Sequence, residues 1–399
     1  MVVPLQLLFA DDAILSAEIK SVPTILLTLN GVFRASVFNS NQQEKMKTID
    51  INIGSINLEC GKELPNVTVR CTIIGNLERN ASRVVWICHG LTANSNPSEW
   101  WPEAIGTGKL FDPEHIVVVS TNVLGSCYGT TGPQSVNPAT GKPYLLDFPL
   151  ITIRDMVKAN QAVKQSLGIG QLYMLVGASL GGFQALEWEL MYPGTVRFLV
   201  PIATSVKASP WVIAFNQSQR LALQADPTFD GVNPQGGQCG LVAARSIALL
   251  SYRGNRSYDL TQVDNRDLLS GFRAETYQTY QGEKLVMRFD AYSYLTLSRG
   301  IDSQNVGRGR GDIAQVMAQI KAPTLSIGIE SDILFPTHEQ KQIAALVPNA
   351  TYAELQSDFG HDGFLLEYKQ LEDIIVRFLN HHNEKLNGNL NSYPKPEKC

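Results

Sequence analysis

Short apolar runs recur along the chain, each flanked by turn residues and each too brief for a helix. They are Val84-Val85-Trp86-Ile87-Cys88, Ile116-Val117-Val118-Val119-Ser120, Leu172-Tyr173-Met174-Leu175-Val176, Phe198-Leu199-Val200-Pro201-Ile202, Thr324-Leu325-Ser326-Ile327-Gly328-Ile329 and Thr351-Tyr352-Ala353-Glu354-Leu355. Runs of this length and composition predict buried strands. Helical patterns and glycine-rich turns separate them, and that alternation predicts an α/β fold, a mostly parallel sheet covered by helices on both faces. From about Lys207 to Arg310 the strand rhythm stops and polar-interrupted helical sequence takes over. A helical lid (207–310) inserted into an α/β core of residues 46–206 and 311–382 is expected. A run of ordinary surface helices is the alternative, because periodicity alone does not place a helix in space.

The two ends read differently. Leu5-Gln6-Leu7-Leu8-Phe9-Ala10 is apolar, but Asp11-Asp12 follows at once and no basic region precedes it, so a cleaved signal peptide is not expected. Residues 1–45 are taken as a disordered extension with no part in the fold, with Met46 a plausible native start. The polar stretch 383–399 reads as a frayed tail. Nowhere do about 18 apolar residues run together, so no membrane span is expected.

Composition narrows the class of partner. The 399 residues are 44% hydrophobic, enough for a large core, with a net charge of -4 that gives no long-range attraction for nucleic acid or anionic membrane. A small-molecule partner is expected. Cys60, Cys71, Cys88, Cys127, Cys239 and Cys399 show no CxxC pair and no regular spacing, against a zinc site and against a disulfide framework. Each is read as a small buried hydrophobe in a reducing cytoplasm.

The chemistry begins at Gly177-Ala178-Ser179-Leu180-Gly181-Gly182, between a predicted strand and the helical run Phe183-Gln184-Ala185-Leu186-Glu187-Trp188. That is the setting of a nucleophile elbow, and the spacing fits neither dinucleotide-binding nor P-loop glycines. A serine hydroxyl needs a base to take its proton. Of six histidines, His361 in Phe359-Gly360-His361-Asp362-Gly363-Phe364 follows the last predicted strand and is the strongest candidate. His89 reads as a loop residue and His338 as an exposed helix start. Asp332, just past the strand ending near Ile329, would orient the imidazole, in the order serine, aspartate, histidine that belongs to the α/β-hydrolase fold. Asp332 as a plain helix cap and Glu330 as a rival orienter stay open. The oxyanion hole is expected from the backbone N–H groups of Leu180 and Leu91, the latter in Cys88-His89-Gly90-Leu91-Thr92-Ala93.

A triad alone does not separate an esterase from an acyltransferase. The segments His89-Gly90-Leu91-Thr92-Ala93-Asn94-Ser95, Asn122 to Pro133, Thr152 to Val157, the elbow with Gln184-Ala185-Leu186-Glu187-Trp188, Arg288 to Leu295, Gly307-Arg308-Gly309-Arg310-Gly311 and Gly360 to Leu365 together resemble the homoserine O-acyltransferase family, from about Ile56 to Glu367. The resemblance implies acyl transfer from acetyl-coenzyme A to the hydroxyl of L-homoserine through acyl-Ser179, for methionine synthesis. It also implies a homodimer. No metal or prosthetic group is expected, and coenzyme A enters only as co-substrate. The family's amino-acid-binding arginine and aspartate fall on Arg245 and Asp362, and Tyr252 is placed in the same pocket. A guanidinium and a carboxylate are natural partners for a zwitterion. Arg245 as a surface ion pair and Asp362 as a helix cap are the plainer alternatives. Ala178 and Leu180 stand where the family has glycine and methionine, and Leu180 is expected to border the acyl pocket. Succinyl transfer, serine as acceptor, and a carboxylesterase using water remain as alternatives.

Overall fold

The structure is a computed structural model that describes residues 46–382. The expected N-terminal extension (1–45), the polar tail (383–399) and Cys399 lie outside the described residues. The elements run β1 (Met46–Asn52), β2 (Ile56–Asn57), β3 (Glu63–Leu64), β4 (Thr68–Ile74), β5 (Val84–Cys88), α1 (Pro97–Trp100), β6 (Val117–Thr121), α2 (Ile153–Ser166), β7 (Leu172–Ala178), α3 (Leu180–Met191) and β8 (Val196–Ile202). Then come α4 (Pro210–Gln224), α5 (Gln238–Tyr252), α6 (Asn255–Thr261), α7 (Arg273–Val286), α8 (Ala291–Asp302), α9 (Ile313–Met317), β9 (Thr324–Ile329), α10 (Thr337–Leu346), β10 (Ala350–Leu355), α11 (Gly363–Leu366) and α12 (Tyr368–His381).

Eight strands form one sheet in the order β1-β4-β6-β5-β7-β8-β9-β10, with β2 and β3 in a separate ribbon. From β6 to β10 neighbours are parallel, whereas β4 is antiparallel to both β1 and β6. The strands alternate between two apolar layers: Val84, Trp86 and Cys88 of β5 pack into one, Val85 and Ile87 into the other. The first layer is closed by α2, α3 and α10 through residues such as Met156, Phe183 and Ile343, the second by Ile375 and Phe378 of α12. A sheet buried on both faces explains why its central strands read as continuous apolar runs.

All six strands predicted from those runs are present, with ends moved by up to two residues. β1 and β4 were not predicted. β1 is mostly exposed along its length, and a hydrophilic edge strand gives no apolar run to detect. Cysteine burial also needs correcting. Cys71 and Cys88 are buried and Cys127 is half-buried, but Cys60 and Cys239 are exposed.

Between β8 and β9 the chain leaves the sheet for α4 to α8 and returns through Gly307-Arg308-Gly309-Arg310-Gly311 and α9. That return is fastened by charge. The Arg310 guanidinium lies 2.8 Å from the carboxylate of Glu187 on α3, which Arg154 of α2 also approaches at 3.4 Å. Glu187 is 1% exposed, and burial raises its pKa against the opposing pull of the two arginines. Arg154 and Arg308 also share Glu59, at 3.0 and 2.8 Å. The arginine-glycine motif is thus a clamp between the helical segment and the helix behind Ser179. Among the described residues no helix is long and apolar enough to cross a membrane.

Arg310→Ala leaves a buried carboxylate with only its weaker partner, and should cost about 3 kcal/mol of stability. Thermal unfolding would show it as a lower Tm, partly recovered when Glu187→Gln is added. An unchanged Tm in the single variant would refute the clamp.

Candidate active site

Ser179 occupies the one-residue turn between β7 and α3, with φ 57° and ψ −123°. A non-glycine residue held there stores roughly 1–3 kcal/mol of backbone strain. The flanking glycines exist because the turn closes on itself. A Cβ on Gly177 would lie 2.1 Å from the Gly181 carbonyl oxygen, one on Gly181 would lie 1.9 Å from the Cys88 carbonyl oxygen, and one on Gly182 would lie 2.5 Å from Thr204 Cβ. The Ser179 N–H donates to Ile202 O at 3.0 Å, while its carbonyl accepts from Gly182 N, Phe183 N and the Thr204 hydroxyl. These bonds hold the strained residue, and its side chain faces a cavity.

Across that cavity stands His361, buried, in a tight turn of residues Gly360–Asp362 after β10. Its Nδ1 lies 2.7 Å from Asp332 Oδ2. The other carboxylate oxygen, Oδ1, accepts from Leu334 N at 2.8 Å and Phe335 N at 2.9 Å. Asp332 therefore both caps a turn and orients the ring, one oxygen for each. Glu330, the rival, is exposed and does not compete. With Nδ1–H committed to the carboxylate, Nε2 is left to accept a proton. Phe335, Tyr252 and Phe364 enclose the ring at 5.3, 5.8 and 5.9 Å between centroids. Burial works against the imidazolium, but the charge and hydrogen bond of Asp332 and the charge of Asp362 outweigh it, so the pKa stands above the ordinary 6.5. Among the described residues no hydrogen bond reaches the Ser179 hydroxyl, and nucleophile–base contacts commonly tighten only when substrate arrives.

The backbone donors follow from two neighbouring elements. Leu180 N–H opens α3, where the first N–H groups lack intrahelical acceptors and the helix dipole favours negative charge. Leu91 N–H belongs to the Gly90–Leu91 peptide, whose carbonyl accepts from His89 Nδ1 at 2.7 Å and Ala93 N at 3.3 Å. Pinning the carbonyl outward turns the trans-related N–H the other way. His89 Nε2 accepts from Val123 N at 3.1 Å. Burial, opposed by the bond to Gly90, lowers its pKa to about 4, so His89 is a neutral loop fastener, as the sequence suggests.

The cavity opens to solvent. Apolar walls come from Ile87, Val176, Trp100, Trp101, Phe364 and Leu365, while Arg245, Arg253, Arg288 and Asp362 line a charged part. Arg245 is buried, with its guanidinium carbon 5.6 Å from the centroid of the Tyr252 ring. Tyr294 donates its hydroxyl to Gln219 at 2.8 Å. Asp362 stands at the N-cap position of α11 but makes no side-chain capping hydrogen bond; its carboxylate lies 2.7 Å from Arg253 Nε. Cys88 shares the wall, and burial drives its thiol far up from the usual range, so it stays protonated and is no rival nucleophile.

One expectation fails. The Leu180 side chain is fully buried in the core and does not border the cavity, because its N–H and its side chain leave the first turn of α3 in different directions; Ala178 lines the wall instead. Two residues went unassigned, Arg253 and Arg288. Arg288 Nη1 donates to Thr92 O at 2.6 Å and Tyr128 Oη at 2.7 Å, bracing the loop that carries Leu91. Arg288 stands in a segment already singled out and Arg253 follows Tyr252 directly, but an arginine's partners are set by tertiary packing and leave no local signal.

Residues 83–368 match the family profile of the alpha/beta hydrolase fold. The chain is 41% identical over 329 residues to the homoserine O-acetyltransferase of Cyclobacterium marinum, spanning 82% of this chain and 94% of that one. With the homoserine O-acetyltransferase of Moorella thermoacetica it shares 41% over 348 residues, 81% and 93% of the two chains. Among solved structures, the homoserine O-acetyltransferase from Bacillus anthracis superposes with TM-score 0.78 at 23% identity over 88% of this chain and all of that one. Esterase E22 superposes with TM-score 0.76 at 25% identity over 84% and 99%.

A base can act only when unprotonated, so an imidazole pKa above 6.5 puts the loss of Ser179 reactivity above pH 6.5 as the solution is acidified. The rate at which a fluorophosphonate labels Ser179 should fall with pH through that midpoint. Asp332→Asn removes the main group favouring the charged ring, so its midpoint should move lower and labelling should slow by about 10³-fold or more. A pH-independent rate, or wild-type labelling in the variant, would exclude this pair.

Proposed function

The chain belongs to the homoserine O-acetyltransferase family of the α/β-hydrolase fold, and from that premise we propose that it moves an acetyl group from acetyl-coenzyme A to the side-chain hydroxyl of L-homoserine by way of acetyl-Ser179. The observation that carries the reading is one cavity holding a strained serine, a carboxylate-held imidazole, and Arg245 with Asp362. An ester substrate calls for no such charged pair, whereas an amino-acid acceptor brings a carboxylate for the guanidinium and an ammonium for the aspartate.

The reaction runs in two halves. Ser179 Oγ attacks the thioester carbonyl while His361 Nε2 takes its proton, and the N–H groups of Leu91 and Leu180 receive the developing oxyanion. The carbon–sulfur bond breaks, His361 returns the proton to the departing thiol, and acetyl-Ser179 remains. After coenzyme A leaves, homoserine is held by Arg245 and Asp362 against Tyr252. His361 takes the proton of its hydroxyl, the oxygen attacks the acetyl carbon, and collapse restores Ser179. Asp332 orients the ring and steadies the imidazolium in both halves. We further propose a homodimer in the cytoplasm. Exposed Trp211, Leu221, Leu250 and Met287 on and beside the helices between β8 and β9 support the first, and the free thiols fit a reducing compartment.

Thiol release should be followed with acetyl- and succinyl-coenzyme A against homoserine, serine and no acceptor. Acetyl-coenzyme A with homoserine should be fastest, with parallel double-reciprocal lines, and Ser179→Ala should lower kcat by about 10³-fold or more. Equal thiol release with and without acceptor would instead make the protein a hydrolase. Arg245→Ala should raise KM for homoserine on the order of tenfold or more and that for acetyl-coenzyme A by less than about threefold. Equal effects would remove Arg245 from the carboxylate. In sedimentation the mass should be twice the 43.9 kDa of the chain, and a single-chain mass would overturn the dimer.

A further inference from the structure

The turn that carries His361 rests on a short stretch of chain at the end of α5. Gly360 has φ 63°, and a Cβ there would lie 2.6 Å from Gly254 N and 2.8 Å from Tyr252 O, so the two backbones touch. Ion pairs flank this contact on both sides. Arg253 Nε lies 2.7 Å from Asp362 Oδ2, with side chains 10% and 15% exposed, and the surface-exposed Arg256 reaches Asp358 at 2.8 Å. Between them the Tyr252 ring packs against the imidazole. Arg253 lines the cavity, and neither the triad nor the carboxylate clamp uses it.

We propose that Arg253 is a positioning residue: its ion pair holds the Asp362 carboxylate in the orientation that receives the acceptor's ammonium, and fastens the end of α5 to the turn bearing the catalytic imidazole. This rests on the reading that the acceptor is an amino acid with its ammonium at Asp362. An aspartate next in sequence to the base faces two cations in turn, the imidazolium and the bound ammonium. A carboxylate free to rotate would be drawn to whichever was nearer. A fixed guanidinium on one of its oxygens removes that freedom and offsets part of its charge. The charged and titratable groups facing the ring and the Asp362 carboxylate include Asp332 from the loop after β9, Ser179 from the elbow, Arg245, Tyr252 and Arg253 from α5 and its end, and Tyr258 from α6. Asp362 favours the imidazolium, so loss of Arg253 leaves that carboxylate less compensated and lets the ring hold its proton to higher pH.

The test is steady-state kinetics of Arg253→Met, Arg253→Lys, Asp362→Asn and the Arg253→Met/Asp362→Asn double variant, with acetyl-coenzyme A and homoserine across pH. Arg253→Met should raise KM for homoserine about tenfold, change KM for acetyl-coenzyme A by less than about threefold, and move the acid limb of kcat/KM upward; Arg253→Lys should recover part of both. The double variant should be no worse than Asp362→Asn alone, with its acid limb below that of the wild type. Equal rises in both KM values, an unmoved acid limb, or additive losses in the double variant would overturn the proposal. Should Arg253→Met fail to fold, the lysine variant decides by the same readouts, because its shorter cation cannot keep the geometry and an unchanged KM and limb would count against the role. If the wild type transfers no acetyl group to homoserine, the functional reading has failed instead.

Discussion

The active site depends on one backbone contact, the approach of the first turn of α3 to the end of β5, so close that Gly181 has no room for a methyl group beside the Cys88 carbonyl. Three features follow from it. The Ser179 backbone is forced into its left-handed conformation, because a strand must turn into a helix within one residue. Leu180 N–H is brought beside the loop that begins at His89, so the two proposed oxyanion donors have their spacing set by packing. The close-packed layers behind the turn, from Trp86 and Phe183 on one side to Ile202 on the other, resist its relaxation. Strain at Ser179 is therefore sustained by the whole sheet, and the hydroxyl stands out over the cavity.

Charge is arranged with equal economy around His361. Burial alone would keep the ring neutral, and the aspartates reverse that. Asp332 is fixed by spending one oxygen on the Leu334 and Phe335 amides, and Asp362 is met by Arg253. The imidazole thus sits between a carboxylate locked by its own loop and one held from α5. Tyr252, against the ring, and Arg253, on Asp362, join the end of α5 to the turn that carries the base.

The strands, the elbow and the order of Ser179, Asp332 and His361 were legible because each is a local signal: an apolar run bounded by turns, a glycine spacing, a polar residue just beyond a strand end. β1 escaped because an exposed edge strand carries no such run. Leu180 was placed on the cavity wall because sequence does not say that a residue can offer its amide to a site while burying its side chain elsewhere. The exposure of Cys60 and Cys239 was missed for a related reason, since residue type gives only an average tendency to be inside. Arg253, Arg288 and the Glu187 clamp were illegible in principle. Their partners lie far away in sequence, and only the folded chain shows that Arg310 meets α3 while Arg253 meets the turn after β10.

The serine is built into the middle of the sheet, between β5 and β8, whereas its base hangs from the loop beyond β10, an edge strand bonded on one side only. During synthesis on a ribosome the proposed nucleophile emerges long before the imidazole proposed to activate it. On the proposed mechanism a nascent chain with a finished elbow still lacks its base, and so does a product truncated before β10. On that mechanism, reactivity toward thioesters arrives only after the helices that enclose the cavity have been made.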